Sequence, residues 1–436
     1  MTIENSIGKF ISEISETGIK LFPYLANTGQ NFNSEKDTVY YSGPYWDTRE
    51  VEVAINVLLT GSWLTSGENV NRFERAFSKH FNFTNSVMVN SGSSANLVMI
   101  AALKEYYGWS DGDEIIVSVV GFPTTVSAIL QNNLVPVFVD ISWDDLNWDV
   151  SSIVGKITPK TKALFSSPVL GNPYDFDWVL EICQKFDLKL IADNCDSLGS
   201  KWRGNYLTDY AVASSCSFYP AHHISTMEGG MVSSANSEII ELARSFAWWG
   251  RACYCVGKQN LLPNGTCKKR FDNWIPNCSA VVDHKYVFDR VGYNLKPLDL
   301  QGAVGLVQLE KFERIHNLRQ SNKMEVDRIF SRLPYVRKIE ESALADTSWF
   351  GAPMICEDGK QKAKLVSHLE LNRVQTRNYF AGNLLQQTGY SHLDDWRRYP
   401  NASKVLDRVF FVGVSPTITP AMLEYVDEVI QKIEVI

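Results

Sequence analysis

The run Ser217-Phe218-Tyr219-Pro220-Ala221-His222-His223, continued by Met227-Glu228-Gly229-Gly230-Met231-Val232, decides how this chain is read. Just before it, Ala213 to Ser217 forms a short strand-like segment that ends on a hydroxyl. Comparable segments occur upstream at Ser86–Val89, Glu114–Ser118, Val135–Asp140, Ala163–Ser167 and Lys189–Ala192, and amphipathic helical stretches separate them. That alternation, over about residues 50 to 245, predicts an α/β domain on a largely parallel sheet. Several segments end in Ser or Asp, and ligands of open α/β sheets gather at the carboxyl ends of strands. His222 therefore falls near such an end, carrying a side chain that moves protons near neutral pH.

Composition narrows the class. The chain has 436 residues, 45% hydrophobic and 21% charged, which is ordinary globular composition and enough for two domains with a large core. A formal charge of −7, without a Lys/Arg-rich run, argues against nucleic-acid binding. The start, Met1-Thr2-Ile3-Glu4-Asn5, lacks a basic segment followed by an apolar one, and no uninterrupted apolar stretch is long enough to span a membrane, so a cytoplasmic location is expected. In that compartment the eight cysteines are free thiols or metal ligands rather than disulfides. A helical stretch with Leu300, Val304, Val307 and Leu309 on one side leads toward a smaller C-terminal α+β domain. We therefore expect an arm at 1–45, a large cofactor-binding domain at 46–310 and a small domain at 311–436.

Three further sites suggest a bound anion and an aromatic ring. Asn90-Ser91-Gly92-Ser93-Ser94-Ala95-Asn96 follows a strand and opens a helix, so small residues leave backbone N–H groups free to approach a phosphate at the positive helix end. A well-capped helix would look the same. Phe122, in Gly121-Phe122-Pro123-Thr124-Thr125, is either a core residue or an exposed ring, and Asp193 at the end of Leu188–Ala192 is either a turn residue or a carboxylate offered to a ligand.

Together these segments resemble the DegT/DnrJ/EryC1/StrS family of sugar aminotransferases, and their order and spacing are hard to explain as coincidence. The resemblance implies an aspartate aminotransferase-like, fold-type I pyridoxal phosphate enzyme with a large mixed sheet. It places Gly92 and Ser93 in the phosphate cup, joined by Ser217, and stacks Phe122 on the pyridine ring. Asp193 is placed at the ring nitrogen and Asp196 near the ring hydroxyl. Gly292-Tyr293-Asn294-Leu295-Lys296 resembles a segment whose asparagine reaches the phosphate of the neighbouring subunit, which implies a homodimer; Lys296 replaces the usual arginine and loses its two-pronged geometry. His222 stands where the family carries the lysine that anchors pyridoxal phosphate. An imidazole cannot form that stable link, so the cofactor is expected as non-covalently bound pyridoxamine phosphate. Adjacent side chains diverge, so His223 is expected to be structural.

The cysteines point to one branch of the family. Between Cys195 and Cys253 lie 57 residues, between Cys253 and Cys255 one, and between Cys255 and Cys267 eleven. By spacing alone this is a weak motif that would suit Zn²⁺ or [2Fe–2S]. It is similar to the branch that removes the C3 oxygen of nucleotide-linked 4-keto-6-deoxyhexoses, CDP-linked ones in its best match, with pyridoxamine phosphate and a [2Fe–2S] cluster. The last interval is longer here. That branch implies an NADH-dependent flavin and iron–sulfur reductase as electron source. Val374-Gln375-Thr376-Arg377-Asn378-Tyr379-Phe380-Ala381-Gly382-Asn383-Leu384 looks like its substrate-pocket segment, which implies sugar or nucleotide contacts for Arg377 and Asn383. The alternatives are a cluster-free 3-dehydratase of GDP-4-keto-6-deoxymannose type and a non-catalytic, zinc-stabilised sugar-nucleotide-binding module.

Overall fold

The computed structural model describes residues 32–253 except 62, residues 270–433, and six positions near the start: 6, 8–10, 12 and 13. A seven-stranded sheet occupies its centre, in the order β1-β9-β8-β5-β4-β2-β3. These strands are β1 Asn85–Val89, β2 Glu114–Ser118, β3 Val135–Val139, β4 Thr161–Ser166, β5 Lys189–Asp193, β8 Ala213–Ser217 and β9 Gly230–Ser234. The short β6 Lys201–Trp202 and β7 Asn205–Tyr206 pair with β11 Ala345–Asp346 in a separate ribbon.

The six strands expected from the sequence are present, within two residues at their ends. All pairings from β3 through β2, β4 and β5 to β8 are parallel; β2 to β5 are largely apolar runs, as strands covered on both faces are, and β8 is built from small residues. One strand is added to those read from the sequence: β9 lies antiparallel between β8 and β1, which makes the sheet mixed, as the family resemblance implied. Its Gly229-Gly230 start reads as a turn, yet Gly230 is where β9 meets the loop after β1. A Cβ there would lie 2.2 Å from the Ser91 carbonyl oxygen, so only glycine permits the approach.

The longer helices are α1 Thr48–Thr60, α2 Glu68–His80, α3 Gly92–Tyr107, α4 Pro123–Gln131, α5 Phe176–Phe186, α6 Ser237–Ala247, α7 Asp299–Glu310, α8 Phe312–Phe330, α9 Gly359–Leu371 and α10 Pro420–Gln431. Their starts are chemically marked. Ser91 caps α3 by accepting from Ser94 N, Pro123 opens α4, and Asp47 with Glu50 forms a capping box on α1. A second sheet, β10 Val336–Lys338, β12 Gly351–Cys356, β14 Val409–Gly413 and β13 Thr376–Asn378, is antiparallel throughout. One continuous core cluster runs from Val87 and Ile191 in the first sheet to Phe410 and Val412 in the second. No helix among the described residues is long and apolar enough to cross a membrane.

A separate aromatic cluster supports the segment that carries His222. Phe73 and Phe77 on α2 surround Phe218, with ring centroids 5.3 and 5.8 Å away, and all three are buried. Because Phe218 follows the last residue of β8, this packing sets the direction in which the chain leaves the sheet. Phe73→Ala is expected to destabilise the protein by about 3–5 kcal/mol, since a large cavity would open under rigid neighbours. A lowered urea midpoint in equilibrium unfolding is the readout.

Candidate active site

Asp193, the last residue of β5, is buried and gathers four donors. Asn96 Nδ2 on α3 and Thr125 Oγ1 on α4 donate to its Oδ2 at 2.8 and 2.6 Å. Cys195 N and Ser215 Oγ approach its Oδ1 at 3.3 and 3.5 Å. Two helices, the neighbouring strand β8 and the turn after β5 thus converge on one carboxylate. Ser93 Oγ donates to Thr124 Oγ1 at 3.1 Å, which joins the Gly92 turn to the start of α4, where Phe122 stands 56% exposed.

Gly92 faces the end of β8. A Cβ on residue 92 would lie 2.6 Å from Ser217 Cβ and 3.0 Å from both Ser217 Oγ and Cys195 Sγ. Gly92, Ser217 and Cys195 therefore wall one small hollow at a helix N-terminus, a place suited to an anion. Burial, reinforced by the Asp193 carboxylate, pushes the Cys195 thiol well above its ordinary value, so the sulfur there is protonated.

Beyond β8 the chain turns back, with His222 N donating to Tyr219 O at 2.9 Å. The His222 ring is largely buried against Phe350, centroid to centroid 5.0 Å. Its Nδ1 lies 3.5 Å from Asp196 Oδ1 but makes no hydrogen bond. Burial, and next the nearby Arg319, hold the imidazole down at about 3, so it is neutral. Burial, and next Asp193, push the Asp196 carboxyl up to about 8. The pair is therefore uncharged at neutral pH, and His222 keeps a lone pair. An anion in the Gly92 hollow would favour the protonated imidazole and bring its affinity for protons closer to neutrality. His223 is structural, as expected: it is buried, and its Nε2 bonds to Ser348 O at 2.9 Å.

At the mouth, the Arg377 guanidinium stacks on Tyr41, 4.0 Å from the ring centroid. Tyr219 and Asp196 are among the groups acting on Tyr41, so Arg377 belongs to the same neighbourhood as His222. Asn383 does not offer a free side chain. It is fully buried, its Nδ2 donates to Trp396 O and Ser403 Oγ at 3.1 and 3.0 Å, and its Oδ1 accepts from Leu385 N. The expected substrate contact gives way to a fold-internal role, holding its loop beside Val119 and Val120 at the end of β2.

Asn294 is exposed, on a segment pinned by Asn90 N donating to Leu295 O at 2.9 Å, and Lys296 Nζ donates to Asn294 Oδ1. Cys253 Sγ lies 3.7 Å from His284 Nε2, whereas Cys255 and Cys267 lie outside the described residues. Among the described residues no three His, Cys, Asp or Glu side chains group as metal ligands. Reading the sequence missed Asn96, Thr125, Tyr41, Arg319 and Phe350. Only Asn96 carried a local signal, lying one helical turn beyond Gly92 on the same face.

These residues fit pyridoxamine phosphate. The Gly92 turn, which carries no side chain at the start of α3, suits the phosphate, the exposed Phe122 ring suits stacking, and the buried Asp193 suits a ring nitrogen. Two buried polar atoms without a protein partner, Asn96 Oδ1 and His222 Nδ1, remain for a ligand.

The protonation of this pair has a consequence for stability. Folded Asp196 holds its proton to about pH 8, while in the unfolded chain it releases it near 3.8, so stability falls as pH rises between those values. His222 acts oppositely, adding stability as pH rises from about 3 to 6.5. Above 6.5 the Asp196 effect is the only one of the two remaining. The cofactor-free protein should lose stability from pH 6.5 to 8, and Asp196→Asn should flatten that slope in urea titrations.

Residues 46–434 match the DegT/DnrJ/EryC1/StrS aminotransferase family. The chain is 38% identical to the dTDP-4-dehydro-2,6-dideoxy-D-glucose 3-dehydratase of Saccharopolyspora spinosa, over 84% of this chain and 80% of that protein. It is 33% identical to the lipopolysaccharide biosynthesis protein RfbH of Salmonella typhimurium, over 97% of this chain and 96% of that protein. Among solved structures, E. coli GDP-4-keto-6-deoxy-D-mannose-3-dehydratase with bound hydrated PLP superposes with a TM-score of 0.78 at 30% identity, covering 90% of this chain and 99% of that one. With the mixed sheet and the buried carboxylate at the end of β5 already in place, these matches make the chain a member of the DegT/DnrJ/EryC1/StrS aminotransferase family.

Proposed function

We propose that this chain dehydrates a nucleoside-diphosphate-linked 4-keto-6-deoxyhexose at C3, using non-covalently bound pyridoxamine phosphate. The observation that carries this reading is His222. A neutral, largely buried imidazole stands beside Asp196, in the sequence position where the family resemblance puts a covalent lysine. Both 3-dehydratases named above support the reaction class.

When bound, pyridoxamine phosphate supplies an amine for the substrate's C4 ketone and a ring that withdraws electrons. Gly92, Ser93 and Ser217 would hold the phosphate, Phe122 would lie against the ring, Asp193 would face the ring nitrogen, and Asp196 would stand near the ring hydroxyl. His222 would serve as the base that moves the proton at C4′ and returns it to the departing C3 oxygen. Arg377, at the mouth, meets the sugar nucleotide. Residues 46–310 would form the cofactor-binding domain and 311–436 a smaller one.

The finer reading adds a [2Fe–2S] cluster on Cys195, Cys253, Cys255 and Cys267. Replacing a C3 hydroxyl by hydrogen consumes two electrons and two protons and releases water. An NADH-dependent flavin and iron–sulfur reductase would supply the electrons. Cys195 supports this reading because its sulfur adjoins the phosphate hollow, where electrons would be needed. The resemblance to the clustered branch favours a CDP-linked sugar, and the 38% identity to the Saccharopolyspora enzyme is the observation that favours a dTDP-linked one. A homodimer completes the site, with Asn294 reaching the partner's phosphate. Exposed apolar residues around Asn294, among them Val291, Tyr293 and Leu298, support such an interface.

His222→Asn is expected to lower turnover by about 10²–10⁴-fold while leaving pyridoxamine phosphate binding intact. Hydrogen exchange at C4′, followed by NMR of the bound cofactor, is the direct readout, and undiminished exchange would remove His222 as the base. Anaerobically reconstituted, dithionite-reduced protein should show a [2Fe–2S] EPR signal that Cys253→Ser abolishes. No signal after full iron loading would favour the cluster-free dehydratase, and zinc without sulfide the binding module.

A further inference from the structure

Arg319 on α8 is 1% exposed and forms no salt bridge among the described residues. Its hydrogen bonds go to four carbonyl oxygens on two segments. Nη2 donates to Ala221 O and His222 O at 3.2 and 3.1 Å, and Nη1 donates to Trp349 O and Phe350 O at 3.1 and 3.2 Å. Nε has no partner. Asp196 is the one acidic group acting on the guanidinium, and it forms no ion pair with it; burying a cation whose hydrogen bonds all go to carbonyls is costly, and a neutral donor could satisfy any single carbonyl at less cost. What a neutral donor cannot do is bridge two carbonyl pairs with one rigid, planar group.

The two bridged segments are those that place His222. One carries its backbone. The other carries Phe350, whose ring packs on the imidazole, and Ser348, which accepts from the adjacent His223. Ser42 Oγ makes a further bond to Ala221 O at 2.8 Å, leaving the His222 carbonyl with Arg319 as its donor. The guanidinium thus sets the distance between the His222 backbone and its packing partner, and so the direction of the ring toward Asp196 and the phosphate hollow.

We propose that Arg319 is a positioning residue for His222, locking the imidazole by joining the Ala221–His222 and Trp349–Phe350 carbonyls through one guanidinium. The proposal rests on the reading of His222 as the base. A general base must stand within hydrogen-bond reach of its proton, and a displacement of about 1 Å can lower a rate 10²-fold.

Arg319→Lys keeps the charge but cannot span both carbonyl pairs. In folded Arg319→Lys protein, kcat and C4′ hydrogen exchange should fall at least about tenfold, with KM for the sugar nucleotide and affinity for pyridoxamine phosphate within about threefold. In the cofactor-free protein, the His222 ring resonance, recognised by its absence from His222→Asn, should shift. A purely structural role would lower the melting temperature and leave both kcat per folded site and that resonance unchanged, and this result overturns the proposal. If Arg319→Lys does not accumulate folded, Phe350→Leu decides. It leaves the four backbone hydrogen bonds in place and removes the ring they hold against His222, so the same loss and shift are expected, and their absence overturns the proposal. Full activity in His222→Asn would instead refute the base assignment, while the His222 resonance would still report whether Arg319 positions the ring.

Discussion

The site depends on one buried carboxylate. Asp193 ends β5 in the middle of the sheet, and the side chains that satisfy it come from the first turns of α3 and α4. Among the described residues, neutral amide and hydroxyl donors rather than a cation hold it, and those donors are fixed in turn. Through those hydrogen bonds the Gly92 turn and Phe122 become parts of one surface. Ser217 joins that surface because β8 is the strand paired next to β5.

Charge is distributed around this centre in a consistent way. Next to Asp193 a second carboxyl, Asp196, is driven to its neutral form, and the Cys195 thiol is kept protonated by the same burial and the same neighbour. His222 is held neutral from the opposite direction, by burial and by Arg319. A pocket that confines so many titratable groups without charging them is poised to respond to an anion and a pyridinium, because each brings a charge that its neighbours can stabilise.

Much of the architecture was legible along the chain because buried parallel strands read as short apolar runs, and Ser91, Pro123 and Asp193 mark element ends by local chemistry. The strand β9 was not, since two glycines read as a turn until Gly230 is seen against Ser91. Asn96 and Thr125 lay inside or beside recognised motifs, but a polar residue on a helix has no visible partner until the sheet brings Asp193 to it. Asn383 shows the converse, a motif residue whose amide proves committed within its own loop.

The sequence by itself determined the α/β class, the capped glycine turn at Gly92, the acidic strand end at Asp193 and the place of His222 just beyond a strand, because each depends on residue type and short spacing. Only the tertiary structure decided which groups share a space. Arg319 meets the His222 carbonyl 97 positions away in the chain, and the Phe350 ring comes from beyond α8 to cover the same imidazole. Contacts of that kind depend on how the two sheets and α8 pack together, so no local pattern can announce them.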